Sequence, residues 1–286
     1  MLARLKLLAV AAMAVAGVAA ASLAAAAEKP IKMGMMIWED TASISLITAK
    51  FLEEKGFEVD KTEFSEWGIA FGALEKGDID ILVSHINYVT SDYWARSRNR
   101  LEKVSPVSFG LRQGFVVPDY MNITSIDQLN SVRDQVGGKI VGVEPGSGLM
   151  REVGDAVEQY GLDYQVIEGS TPAMIAELQA ALERKDPIVT MLWDPSWMIQ
   201  KFPVHFLDDP KGVFAPPQAY YWIARKGFSA ENPRAREAIA SVYVPIGDVS
   251  AISSELNAGK TMPEAVDDWW AKNEALVGKW SVMAGD

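Results

Sequence analysis

The chain has no cysteine, and this absence removes disulfides, thiolate nucleophiles, iron–sulfur clusters and Cys-ligated zinc together. Histidine is nearly missing as well. His85 and His205 are the only two in 286 residues, which excludes a multi-histidine metal site. Basic side chains are few beside acidic ones: 27 Lys plus Arg stand against 38 Asp plus Glu, for a net charge of −11. That balance makes nucleic acid and acidic lipid surfaces poor partners, because binding to them relies on neutralising phosphates. Beyond residue 27 no stretch approaches the ~18 to 20 apolar residues that span a bilayer. Past the same point there is no repeat of fixed period and no low-complexity segment.

What is there is the composition of an ordered globular protein, 49% hydrophobic and 23% charged, long enough for about two domains. Residues 1–27 are a different material. Arg4 and Lys6 precede an apolar run from Leu7 to about Ala20, and Ala-rich sequence ends at Ala27 before Glu28. This is the order of a cleaved secretory signal peptide. Its removal leaves 259 residues at net charge −13, since it holds two basic residues and no acidic ones. The expectation is an exported, periplasmic protein without a lipid anchor, because no Cys follows the run.

From Ile31 onward short apolar runs alternate with helix-period segments, the pattern of an α/β protein with a largely parallel sheet. Strands are predicted over 31–38, 57–64 and 79–84, with helices over 43–55 and 69–76 stopped by Gly56 and Gly77. A second unit follows: Ser125 caps a short helix, 139–143 is a strand and 148–160 a helix ending at Gly161. Then 164–167 is a strand, Ser170 or Thr171 opens a helix to about Lys185, and 188–192 is a buried strand. Gly114–Val117 and Tyr220–Ala224 are predicted as the two crossings of a hinge. From about Asn232 the chain is helical, with Thr261 as a cap.

An enzyme needs a nucleophile with a base, a metal cluster or a cofactor loop. The Gly-rich stretch Gly142–Arg151 lacks the Lys-Ser/Thr of a nucleotide loop, and Arg151 stands where a dinucleotide fingerprint needs its third Gly. The stretch is a tight strand-to-helix turn whose free N–H groups can hold a small anion such as a carboxylate. The aromatics carry more information. Of nine Trp, Trp94, Trp269, Trp270 and Trp280 lie in helical stretches and are expected to pack. Trp38, Trp67, Tyr88 and Trp193 fall at or just beyond the carboxyl ends of predicted strands, where ligands of such sheets sit. Converging on one crevice, they would cage a cation. Asp40 is either an acid of that cage or the cap of the following helix.

Five motifs in order, Gly72-Ala-Leu-Glu-Lys-Gly-Asp-Ile-Asp80, Ile140-Val-Gly-Val-Glu-Pro-Gly146, Asp186-Pro-Ile-Val189, Leu192-Trp-Asp-Pro195 and Arg225-Lys-Gly-Phe228, resemble the glycine betaine, proline betaine and choline binding proteins of ABC importers. The resemblance runs from about residue 31 to 280. It implies a type II periplasmic-binding fold, two α/β lobes joined by a two-segment hinge, no catalysis and no cofactor. It also implies a Trp/Tyr box for a trimethylammonium head. On it, Trp38 and Asp40 match the first-loop aromatic and acid, Trp193 the second-lobe wall, and Ser147 and Gly148 the turn that faces the ligand. Two departures stand out. Ile86 occupies a position where relatives carry Trp, and Ser196 one where some carry His. Trp67, Tyr88 and Trp222 are the candidates to complete the box, with His85 or Arg112 meeting a polar or carboxylate end.

The expected organisation is a signal peptide over 1–27, a discontinuous lobe over 28–113 plus 219–286, and a second lobe over 114–218. The expected partners are a small quaternary ammonium or zwitterion and an ABC permease, with the chain a monomer. An amino acid such as proline or histidine is the alternative ligand, and an enzyme on the same fold the remote one.

Overall fold

The structure, a computed structural model, describes residues 29–143, 145 and 147–285. The predicted leader lies outside these residues. Strand β1 (Ile31–Met36) leads through α1 (Glu39–Glu54) to β2 (Val59–Phe64), and α2 (Trp67–Lys76) leads to β3 (Ile81–Ser84). β1 lies parallel to both β2 and β3, the arrangement the alternation predicts. β1 and β3 are buried almost throughout because both faces of the sheet are covered. Gly77 ends α2 in the left-handed region at φ 77°, where its N–H meets the last carbonyls of the helix.

Beyond α3 (Ser91–Ser97) the long strand β4 (Leu101–Pro118) carries the chain into a second sheet. A 3-10 turn (Ile126–Gln128) and α4 (Leu129–Val132) precede β5 (Lys139–Val141) and α5 (Gly148–Tyr160). β6 (Gln165–Ile167), α6 (Thr171–Arg184) and β7 (Thr190–Asp194) follow. The predicted caps form: Ser125 closes a capping box with Gln128, and Ser170 rather than Thr171 caps α6 through the Ala173 N–H. α7 (Trp197–Lys201), β8 (Val204–Phe206) and β9 (Gln218–Arg225) bring the chain back. The C-terminal part is α8 (Phe228–Glu231), α9 (Pro233–Ser241), α10 (Ile246–Asn257), α11 (Met262–Lys272) and α12 (Glu274–Met283).

The strand order is β2-β1-β3-β9-β4-β7-β5-β6, with β8 paired to β4. Side chains of the first half alternate between two cores. Met33, Met35, Ile81, Val83, Tyr220 and Trp222 fill one face, while Met36, Leu82, Ile86 and Ile223 fill the other. The second half packs its own core from Phe115 to Phe214. The crossings do not lie where the sequence puts them. Phe115, Val116 and Val117 are already inside the second core, and Tyr220, Trp222 and Ala224 are already inside the first. The chain passes from one core to the other between Leu111 and Phe115 and returns between Phe214 and Tyr220. β4 and β9 are antiparallel partners there, and register shifts between Lys103 and Leu111 bend β4 as it passes.

Candidate functional site

The parallel strands β1 and β3, and β7, which runs opposite to them across β9 and β4, end at a cleft of about 670 Å³, and what the chain places at these strand ends decides its chemistry. Trp38 follows β1, His85 and Tyr88 follow β3, Trp193 lies in β7, and Trp67 opens α2 after β2; all of these line the cleft. Trp38 is the N-cap of α1, extended at ψ 134°, and its carbonyl accepts the Ala42 N–H. Trp38 is 50% exposed and lines the cleft. Trp67 was expected in a loop and instead begins α2, so its direction is set by a helix.

Asp40 is not the cap of α1 but sits in its first turn, where a carboxylate complements the helix dipole. One carboxylate oxygen accepts the Thr41 N–H at 2.7 Å. The other accepts the Tyr220 hydroxyl at 2.7 Å and His85 Nε2 at 3.4 Å. Burial alone would raise the Asp40 carboxyl, but these donors, His85 foremost, hold it below its usual range. Asp40 is therefore an ionised group at the cleft wall. Its pKa is lower folded than unfolded, so its contribution to stability is complete above about pH 4 and lost as pH falls further. Asp40→Asn is expected to flatten this part of the acid limb when the thermal midpoint is followed from pH 3 to 7. An unchanged acid limb would mean that Asp40 is not held by these donors.

His85 is buried between aromatic rings, 4.6 Å from Tyr220 and 5.4 Å from Trp67 between centroids. Its Nε2 faces Asp40, while Nδ1 has no protein partner. Ile86 is buried among Met36 and Leu82 and does not line the cleft. Tyr88 reaches across to α5 and donates to Glu152 at 3.1 Å, and Gln113 Nε2 donates to the same oxygen at 2.9 Å. Burial, reinforced by the Glu152 charge, pushes the Tyr88 phenol far up, so it remains a donor. Burial also raises the Glu152 carboxyl, against hydrogen bonds from Tyr88 and the Ala215 backbone.

Several expected site residues lie elsewhere. Trp222 is wholly buried in the first core: β9 runs between β3 and β4, and the strand's two-residue alternation sends this ring inward with Tyr220. Arg112 stacks its guanidinium on Phe206 at 4.2 Å, on the side of β4 opposite Gln113, and does not line the cleft. Ser147 and Gly148 open α5, where the Ser147 hydroxyl accepts the Met150 N–H. They line a second chamber of about 820 Å³ instead, which shares Tyr88, Val89, Gln113 and Trp193 with the cleft.

Sequence reasoning missed Trp197, Gln113, Tyr220 and Glu152. Trp197 lines the cleft, and its N–H donates to Ser253 of α10, which in turn donates to Glu39 at 2.7 Å. Its signal was present, since it stands four residues after Trp193 across Pro195. Glu152 had none, because its partners are distant in the chain. The helical Trp residues pack as predicted, Trp269 and Trp280 stacking in the first core at 5.9 Å.

Two α/β halves that pack separately, the first around two cores and the second around one, joined by two strand crossings and facing a common aromatic cleft, define a solute-binding protein of the type II periplasmic-binding fold. The chain belongs to the family described as the substrate-binding domain of ABC-type glycine betaine transport systems, whose model matches residues 29–272. It is 34% identical over 158 residues to the glycine betaine/carnitine transport binding protein GbuC of Listeria monocytogenes. That alignment spans 54% of this chain and 53% of GbuC, about half of the relative's length. The glycine betaine/proline betaine-binding periplasmic protein of Salmonella typhimurium is 22% identical over 278 residues, 82% of this chain and 84% of that one. Among crystal structures, lactococcal OpuAC, closed around glycine betaine, superposes with a TM-score of 0.71 at 28% identity, covering 88% of this chain and 99% of its own. An ABC-transporter choline binding protein in complex with choline gives 0.66 at 23% identity, over 88% and 91%. Among the described residues no helix is long and apolar enough to cross a membrane.

Proposed function

We propose that the chain captures a small quaternary ammonium or betaine-type compound between Trp38, Trp67, Tyr88, Trp193 and Trp197 and delivers it to an ABC permease from the periplasm. The observation that carries this reading is the shared wall: these rings line one cleft together with the ionised Asp40, and the cleft's lining has no Lys or Arg. A trimethylammonium group has no N–H to satisfy and a diffuse charge, so aromatic faces replace its water at modest cost. Each face is worth ~0.5 to 2 kcal/mol once the cation is desolvated. In this reading the chain forms two lobes, about 28–113 plus 219–286 and 114–218, which close over the ligand as rigid bodies; the separate packing of the two halves supports it. In this role the chain binds and releases its ligand unchanged, without catalysis, and works as a monomer.

A thermal-shift screen of ligand-free protein tests the reading. The panel is choline, glycine betaine, proline betaine, carnitine, trimethylamine N-oxide, proline and histidine. A ligand at 100 times its dissociation constant adds ~2.7 kcal/mol of stability. The expected result is a raised midpoint with methylated ammonium compounds and none with proline or histidine. Stabilisation by the unmethylated amino acids alone would reject the cage.

A further inference from the structure

Building on the cage reading, we propose that Glu152 is a specificity-determining residue that selects the far end of the ligand, favouring a quaternary ammonium with a hydroxyl tail over one ending in a carboxylate. Glu152 stands on α5 and lines the second chamber, which opens from the cage along Tyr88, Gln113 and Trp193. Its Oε2 accepts both the Tyr88 hydroxyl and the Gln113 amide, each of which also walls the cage. The carboxylate therefore lies one side chain behind the cage wall, on the path a tail takes into the chamber. Tyr88 and Gln113, the polar side chains shared by both spaces, already direct donors at Glu152 rather than at a ligand.

A hydroxyl tail can donate to this carboxylate, whereas a carboxylate tail can only accept and meets a like charge. The other charges of the chamber do not reverse the field: Asp92 and Asp155 line it with Glu152, Asp155 near enough to act on it, and Arg151 is the single guanidinium in the lining. Arg112, the residue expected to pair with a ligand carboxylate, is occupied by Phe206 outside both spaces.

The test is calorimetric titration of the purified, ligand-free chain and of E152Q with choline and with glycine betaine. Glutamine keeps an acceptor oxygen for Tyr88 and Gln113 and removes the charge. The ratio of the glycine betaine to the choline dissociation constant is expected to fall on the order of 10-fold, the scale of one like-charge contact at partial screening. An unmoved ratio overturns the proposal, and should E152Q fail to fold, E152A is read by the same ratio. Tetramethylammonium, a head group without a tail, is titrated against the unaltered chain in the same series. If it does not bind, the cage reading itself fails. If it binds and the ratio stays fixed, only the role given to Glu152 fails.

Discussion

Trp193→Ala is expected to weaken binding of choline or glycine betaine by ~10-fold or more while leaving a folded protein, since one desolvated cation–π contact with its contact area is worth ~1 to 2 kcal/mol. Trp193 lies near the carboxyl end of β7, paired across the ladder with Gln113, and its ring forms part of both the cleft and the adjoining chamber. It is only partly buried against the second core, so truncation removes a wall more than a keystone. The loss of stability should be ~1 to 2 kcal/mol, small enough to measure affinity on a folded variant. Calorimetry at matched folded fraction checks it. An affinity equal to the unaltered chain's would remove Trp193 from the site and leave the cage open on the side of the second core.

Trp222→Ala is expected to do the opposite. Its ring is among the largest fully buried side chains, and deleting it opens a cavity in the first core that costs ~3 to 5 kcal/mol, the range for a truncated core aromatic. Nε1 has no partner, so lost packing rather than a lost hydrogen bond sets the cost. The urea midpoint should fall steeply, while Trp222→Phe, which keeps most of the volume, should lose less and bind ligand as the unaltered chain does. Loss of binding in Trp222→Phe at unchanged stability would place the ring in the site after all. Together the two variants separate a tryptophan that faces the ligand from one that holds the sheet, a distinction that Trp content alone does not make.

The alternation of elements was legible because each is announced locally. Ser125, Ser170 and Thr261 open helices through their own side chains, and Gly77 and Gly161 close them in the left-handed region. Such signals need only neighbours in sequence. The length of β4 had no comparable signal. Pro106 and the register shifts around it break the pattern, and only pairing with β9, β7 and β8 reveals one strand of 18 residues. The expected hinge positions missed for the same reason: apolar strands look alike whether they cross between cores or lie inside one.

The five motifs by themselves pointed to the class of this protein through their resemblance to a known family, the acidic, Cys-free composition excluded other classes, and the aromatic residues after strands gave the expectation of a cage for a cationic head group. Tertiary structure alone decided which of those residues meet in the cleft. Period-two alternation says that Arg112 and Gln113 point to opposite faces, yet only the packed sheet says that Gln113 has the cleft and Arg112 has Phe206. Likewise Asp40 meets Tyr220, and Tyr88 meets Glu152, across 180 and 64 residues of chain. No local pattern records such meetings, because they follow from where strand ends converge rather than from what surrounds each residue in sequence.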